Sequence, residues 1–305
     1  MEHQPHRTQA DRMQLATRNC LFRLLSFLDG KLPQYCAIHS FVGAALSTTN
    51  PSYRVYYRKE CLTNTLLPKE DNYSLILGVG LELLQKSGQE VKIWFLTAWT
   101  DDDDGKLEDA YEDISEIDWN SDLVVGHYKH HTPHPSITNF LTNKQIKGHC
   151  YPCYQYSIPV MDALNFDCSE LNDVYVKSLE RRHAQLVYDH WPYKESTVVD
   201  NVAIEIEQLP SAGVFLKENN ELVSWIMCHP PNGMSRLHTL EEHRRRGYAA
   251  LAVQYLSKRV AQSGYVPFVN MDIANVVSKQ FFESMKFTLL RPIHIGIADG
   301  VGILS

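Results

Sequence analysis

Residues 239–249 read TLEEHRRRGYA, and the nature of this stretch decides the fold. An apolar run, residues 234–240, leads into it. Behind it Tyr248, Leu251, Ala252, Tyr255 and Leu256 fall at i, i+3, i+4, i+7 and i+8, which gives a helix one apolar face. The stretch is therefore a strand-to-helix turn. Gly247 in such a turn lets the backbone approach a ligand, and the first N–H groups of the helix point outward with the positive end of its dipole. Arg244, Arg245 and Arg246 add three cations there, which suits a diphosphate better than a lone carboxylate. A solvated basic helix start is the alternative that local spacing leaves open.

Working outward, residues 213–216, 222–228 and 234–240 are apolar segments separated by Asn219-Asn220 and by Pro230-Pro231-Asn232-Gly233. Such punctuation signals tight turns between antiparallel strands, a three-strand meander. Before it, residues 174–177 read as a strand, residues 180–190 as a helix closed by Trp191-Pro192, and residues 199–209 as a second helix. After the strong helix, Gly264 marks a stop and residues 265–271 a buried strand. Asn275 can cap a helix in which Val277, Phe281 and Met285 repeat every four residues, and a strand is expected near residues 287–290. The order predicts a mixed α/β sheet.

The sequence Arg244-x-x-Gly247-x-Ala249, placed between a strand and an amphipathic helix and followed by a strand, Asn275 and FFESMKF (residues 281–287), resembles the acyl-CoA-binding motif of the GNAT superfamily. More narrowly, three pieces resemble the glycine N-acyltransferase-like family. They are His183-Ala184 with Leu186, Val187 and Trp191; Thr239-Leu240 followed by Glu242 and Arg244; and Met271-Asp272 leading to Asn275. The resemblance covers residues 170–291 and extends weakly to Asn50-Pro51. It implies a GNAT fold, a mixed and mostly antiparallel sheet flanked by helices, in the C-terminal half. It also implies an acyl-CoA N-acyltransferase that moves an acyl group to a small amine, glycine by resemblance, with acyl-CoA as co-substrate and no metal.

In that fold the fourth and fifth strands splay apart. The resemblance then implies that backbone groups near Thr239 and Leu240 pair with the pantetheine amides. The diphosphate would rest on the amides of Arg245, Arg246, Gly247, Tyr248 and Ala249, beside Arg244, and Asn275 would lie along the pantetheine arm. Glu242 matches the family's general base; nearby arginines favour its carboxylate form, whereas burial would oppose it. By its own spacing Glu242 also reads as an acid at a helix start, and His238 is an alternative base. Many GNAT enzymes carry a tyrosine that protonates the departing thiolate, and Phe282 stands at that position. A noncatalytic acyl-CoA-binding or scaffold protein is the second reading, and an acetyltransferase acting on another amine the third.

The whole chain has 305 residues, 44% of them hydrophobic, enough for about two domains and incompatible with wholesale disorder. Lys and Arg total 29 against 36 Asp and Glu, a net charge of -7, so no global basic field exists to hold nucleic acid. No apolar stretch reaches the roughly 18 residues of a membrane span, which predicts a soluble chain without a membrane partner. Seven scattered cysteines fit a reducing compartment. No secretory signal is read; Arg7, Arg12, Arg18 and Arg23 around residues 13–28 leave a mitochondrial presequence open, but Glu2, Asp11 and Asp29 favour an ordinary first helix. The compartment is expected to be intracellular, mitochondrial by resemblance or cytoplasmic.

In the first half, residues 53–57, 73–77 and 91–97 read as strands, and residues 101–155 as a polar stretch with little periodicity. Gly78-Val79-Gly80 lacks the third glycine of a dinucleotide fingerprint and reads as a turn. His127, His130, His131, His134 and His149 near Cys150-x-x-Cys153 invite zinc, but one CxxC in a proline-rich stretch reads better as a polar loop. Asp101 to Asp104 fail the calcium template, because the acid due six positions after Gly105 is Tyr111. Two domains are expected: a family-specific α/β unit over residues 1–160, resembling a degenerate copy of the same fold, and the acyl-CoA-binding unit over residues 161–305.

Overall fold

The computed structural model describes residues 12–47, 53–59, 73–86, 89–100, 105–119, 123–128, 142–169, 171–194, 197–229 and 233–299. In chain order the first elements are β1 (Gln14–Leu15), α1 (Arg18–Asp29), α2 (Cys36–Ser47), β2 (Tyr53–Lys59), β3 (Tyr73–Lys86), β4 (Gln89–Thr100), α3 (Gly105–Asp113), β5 (Leu123–Tyr128) and β6 (Lys147–Ser157). Then come α4 (Val160–Leu164), β7 (Val174–Lys177), α5 (Ala184–Asp189), α6 (Val199–Gln208), β8 (Ser211–Leu216), β9 (Leu222–His229) and β10 (Gly233–Thr239). The last elements are α7 (Tyr248–Gln262), β11 (Phe268–Asp272), α8 (Val276–Ser284) and β12 (Thr288–Asp299).

The chain forms two compact units. The first holds residues 1–83, 91–152 and 293–305, the second residues 84–90 and 153–292. In the second unit the strands run in the order β7-β8-β9-β10-β11-β6. Neighbours are antiparallel except β10 and β11, which are parallel. Alternation along the strands, interrupted in β9 where the β8–β9 register shifts between Val214 and Phe215, separates two cores. Val214, Val223, Ile226, Cys228 and Met234 face α7, where Leu251, Ala252 and Leu256 complete the packing. Phe215, Leu222, Trp225 and Met227 face the opposite side, against Ala184 and Val187 of α5 and Val202, Ala203 and Ile206 of α6.

The first unit has the strand order β1-β2-β3-β4-β5-β12. Its β4 and β5 are parallel, and β5 and β12 antiparallel. Leu75, Leu77 and Val79 of β3 face Leu107, Ala110 and Tyr111 of α3. Ile76 faces the other way, toward Leu24 and Leu28 of α1 and Phe41 of α2. The arginine-flanked stretch near the N-terminus thus contains a helix, capped by Thr17 accepting from the Cys20 amide, with its apolar face in a core.

Four expectations are corrected. Gly78 and Gly80 lie inside β3, not in a turn; a Cβ on Gly78 would come within 2.5 Å of the Phe41 ring, so only glycine admits that ring. The stretch after residue 101 contains α3, β5 and β6 rather than a single irregular loop. The helix expected over residues 180–190 is a short 3₁₀ turn, Arg181–His183, followed by α5. His183 accepts the Glu180 amide through Nδ1 at 2.8 Å, which ties the entry of this turn. The last strand, β12, runs on to Asp299. Asp101 to Asp104, His130, His131 and His134 lie outside the described residues.

Candidate functional site

β10 starts tightly against β11 and then leaves it. A Cβ on Gly233 would meet the Phe268 ring at 2.9 Å, and Met234 pairs with Val269. Past that point, Asn270, Met271 and Asp272 of β11 pair with Gln155, Tyr154 and Cys153 of β6, while β10 stays with β9. Among the described residues nothing pairs with residues 235–239 on the β11 side. This is the splay that the resemblance implied.

A bulge accompanies the divergence. The register with β9 shifts between Ser235 and His238, and Arg236 there has φ 55°. Such a backbone is costly for a non-glycine residue, so its surroundings must hold it. Arg236 is 5% exposed and ion-paired with the buried Glu205 of α6, which also bonds His229 Nδ1 at 2.8 Å. The Trp191 ring lies 5.5 Å from the guanidinium carbon. Burial pushes the Glu205 carboxyl up, but His229 and Arg236 outweigh it and hold the carboxyl below its ordinary value. Sequence reading missed this cluster, because only the fold brings residues 191, 205, 229 and 236 together.

β10 ends with the Thr239 and Ser224 hydroxyls 2.8 Å apart. The Leu240 N–H donates to Val223 O at 3.0 Å, so that donor is committed to the sheet and not open to a pantetheine amide. A 3₁₀ turn, Glu241–His243, comes next. Arg244 Nε donates to Thr239 O at 3.1 Å and Arg246 to Glu242 O at 3.3 Å, so two of the three arginines brace the loop. Arg245 makes no hydrogen bond or ion pair among the described residues. Its φ is 65°, and Gly247 at φ 84° is the N-cap of α7 with no side chain to satisfy the helix start. The first N–H groups of α7, including those of Tyr248 and Ala249, therefore lack acceptors within the helix. The buried Tyr248 hydroxyl donates to Asp173 and pins the helix start; this bond holds the Asp173 carboxyl below its usual value.

Glu242 is exposed in the 3₁₀ turn and makes no side-chain hydrogen bond among the described residues. Asn275 caps α8, accepting from Ser278 N at 3.0 Å, at the end of β11. Phe282 is 4% exposed, packed edge-on against Phe281 and Phe287, in the core. A cavity of about 340 Å³ flanks the loop, lined by Asp173, Leu216, Lys217, Glu218, His243 and Arg246. His238, on β10 beyond the bulge, stacks on Trp225 at 5.0 Å and lies 4.7 Å from His190. Cys153 is a buried thiol in no disulfide, pushed up to about 12 by burial. Among the described residues no three His, Cys, Asp or Glu side chains are grouped to hold a metal, and no helix is long and apolar enough to cross a membrane.

A family model described as FR47-like protein matches residues 211–293, a span that takes in the meander, the loop, α7, β11 and α8. No curated protein matches the chain. Among solved structures, a Drosophila protein aligns with TM-score 0.74 at 14% identity, covering 94% of this chain and 98% of its own. A tandem GNAT protein from the clavulanic acid biosynthesis pathway aligns with TM-score 0.53 at 8% identity, over 95% of this chain and 98% of that one. A Pyrococcus horikoshii protein described as a putative acetyltransferase aligns with TM-score 0.52 at 9% identity, over 99% and 94%. The splayed parallel pair, the bulged strand and the loop opening α7 thus belong to a chain with the GNAT fold, and residues 211–293 match the FR47-like family model.

Proposed function

We propose that the second unit is an acyl-CoA-dependent N-acyltransferase that acylates a small amine, glycine being the acceptor drawn from the resemblance. One observation carries the reading. A bulged strand that has parted from its parallel neighbour runs directly into a loop whose Arg245 and Gly247 take positive φ and present the open N–H groups of α7. Open amides at a helix start, with the exposed Arg245 two residues before Gly247, suit a diphosphate. The diverging strand edges give a peptide-like pantetheine arm a place to lie, by way of groups other than the Leu240 amide.

The transfer needs an amine lone pair. Nitrogen attacks the thioester carbonyl, the C–N bond forms, the C–S bond breaks, and CoA departs as a thiolate. The ammonium proton goes to a base, which the resemblance gives as Glu242. With Phe282 buried, the thiolate takes its proton from solvent; a thiol of ordinary pKa leaves without a side-chain acid. The buried Phe282 also favours a second reading, a protein that binds acyl-CoA without turnover.

A free-thiol assay with acetyl-CoA and benzoyl-CoA as donors, and glycine, other amino acids and polyamines as acceptors, tests this. Acceptor-dependent thiol release establishes the transferase. Protection by CoA against thermal unfolding without release establishes the binding protein, and neither signal overturns both.

A further inference from the structure

Two groups compete for the amine proton, and their positions differ. Glu242 lies on the exposed turn after the strand, beside the loop offered to the diphosphate. His238 lies on β10 itself, past the last pairing with β11 and past the bulge, on the edge where the two strands have parted. Its ring is half-buried, stacked on Trp225 of β9 and close to His190 at the end of α5. No hydrogen bond to its ring nitrogens occurs among the described residues. Its carbonyl is held by the Ser224 hydroxyl at 3.0 Å, which fixes the residue on the strand.

We infer that His238, rather than Glu242, is the group that accepts the ammonium proton of the acceptor amine during acyl transfer. This deepens the acyltransferase reading and rests on it. A base must be unprotonated before it can act, and every neighbour of His238 works in that direction. Burial is the largest effect, and His190 and Arg244 add to it, so the imidazole ionises below its ordinary 6.5. The charged or titratable groups facing it are His190 from α5 and Arg244 from the loop; β9 contributes the neutral Trp225. His190 Nδ1 is itself engaged with Leu186 O at 2.9 Å, which keeps that ring in place. In the step, one imidazole nitrogen takes the proton from nitrogen as the C–N bond forms. The imidazolium then returns the proton to solvent, and the products are the amide and CoA thiol.

The test uses the full chain and the donor and acceptor found by the thiol assay. In His238→Gln, kcat/KM is expected to fall by about 10²-fold or more while the Kd for CoA stays within about twofold, which also certifies folding. Added imidazole should restore part of the rate in His238→Ala. The wild-type profile of kcat/KM should show an acid limb below pH 6.5 that vanishes in His238→Gln and persists in Glu242→Gln. Independently of activity, the His238 C2–H proton followed by NMR should titrate below 6.5. A rate or acid limb that survives in His238→Gln overturns the inference alone, as does an NMR titration at or above 6.5. A wild-type protein that releases no thiol with any pair overturns the acyltransferase reading and this inference with it.

Discussion

Gly247 stands at φ 84°, and a Cβ there would find nothing nearer than Leu171 Cδ1 at 4.0 Å. Space is available, and what a side chain disturbs is the left-handed backbone, at a cost of about 1–2 kcal/mol. Gly247→Glu is therefore expected to fold, with a modest loss of Tm, and to lose at least tenfold in CoA affinity because a carboxylate enters the anion cradle. Calorimetric titration with CoA checks this, and unchanged affinity would remove the loop from the binding site. Glu205 works in the opposite regime, as a buried carboxylate answered by Arg236 and His229. Glu205→Ala leaves that arginine uncompensated and should cost about 3–5 kcal/mol in urea unfolding. The pH sign comes from the depressed carboxyl: its contribution is present above the ordinary glutamate value of 4.5 and fades as pH falls through and below it. Glu205→Gln should be less stable at neutral pH but flatter below pH 4.5. Of the site residues read from sequence, the loop was legible because glycine and arginine in a strand-to-helix turn carry local meaning. Arg236, Glu205 and His229 were not, since a buried charge is recognised by its partner.

At the scale of elements, the loop that opens α7 acts as one unit: Arg244 and Arg246 tie it back on Thr239 and Glu242, and Arg245 is left outward. Replacing all three by alanine should weaken CoA binding and flatten its dependence on salt between about 0.05 and 0.5 M, since fewer charges remain to be screened. An unchanged salt slope would show that these cations do not meet the diphosphate. The helices α7 and α8 were readable from their apolar spacing, and α8 from its Asn275 cap. In α3 the spacing is also present, with Leu107, Ala110, Tyr111 and Ile114 at i, i+3, i+4 and i+7, all buried. Its acidic neighbours concealed it. In β6, Tyr154 and Tyr156 lie two residues apart on one face of the strand and pack against the same core, an alternation too short to stand out from the polar residues before it.

For the whole molecule, the two units share an order of elements: strand, two helices, three strands, helix, strand. In the second unit Arg244, Arg245 and Arg246 lie between the fourth strand and the helix after it; at the same place in the first unit, between Thr100 and Gly105, the sequence reads Asp101 to Asp104. Four acids repel a diphosphate as surely as three arginines attract it. The chain is therefore expected to bind one CoA, with calorimetric stoichiometry near one that the triple arginine replacement abolishes; two sites per chain would show that the first unit also binds. Residues 293–299, at the far end of the sequence, lie beside β5 in the first unit, and residues 153–157 lie beside β11 in the second. A sequential division of the chain gives no sign of this.

The sequence by itself determined what is local: a meander cut by turn residues, an amphipathic helix, a capped helix, and between them a glycine and three arginines at a strand-to-helix turn. These come from propensity and period, which act over a few neighbouring residues. The tertiary structure alone decided that β10 parts from β11, that Arg236 is held in its bulge by Glu205 and Trp191, that Glu242 faces solvent, and that Phe282 belongs to the core. Each of these depends on contact between residues far apart in the chain, and such contacts arise only when the sheet and its two helical faces are assembled.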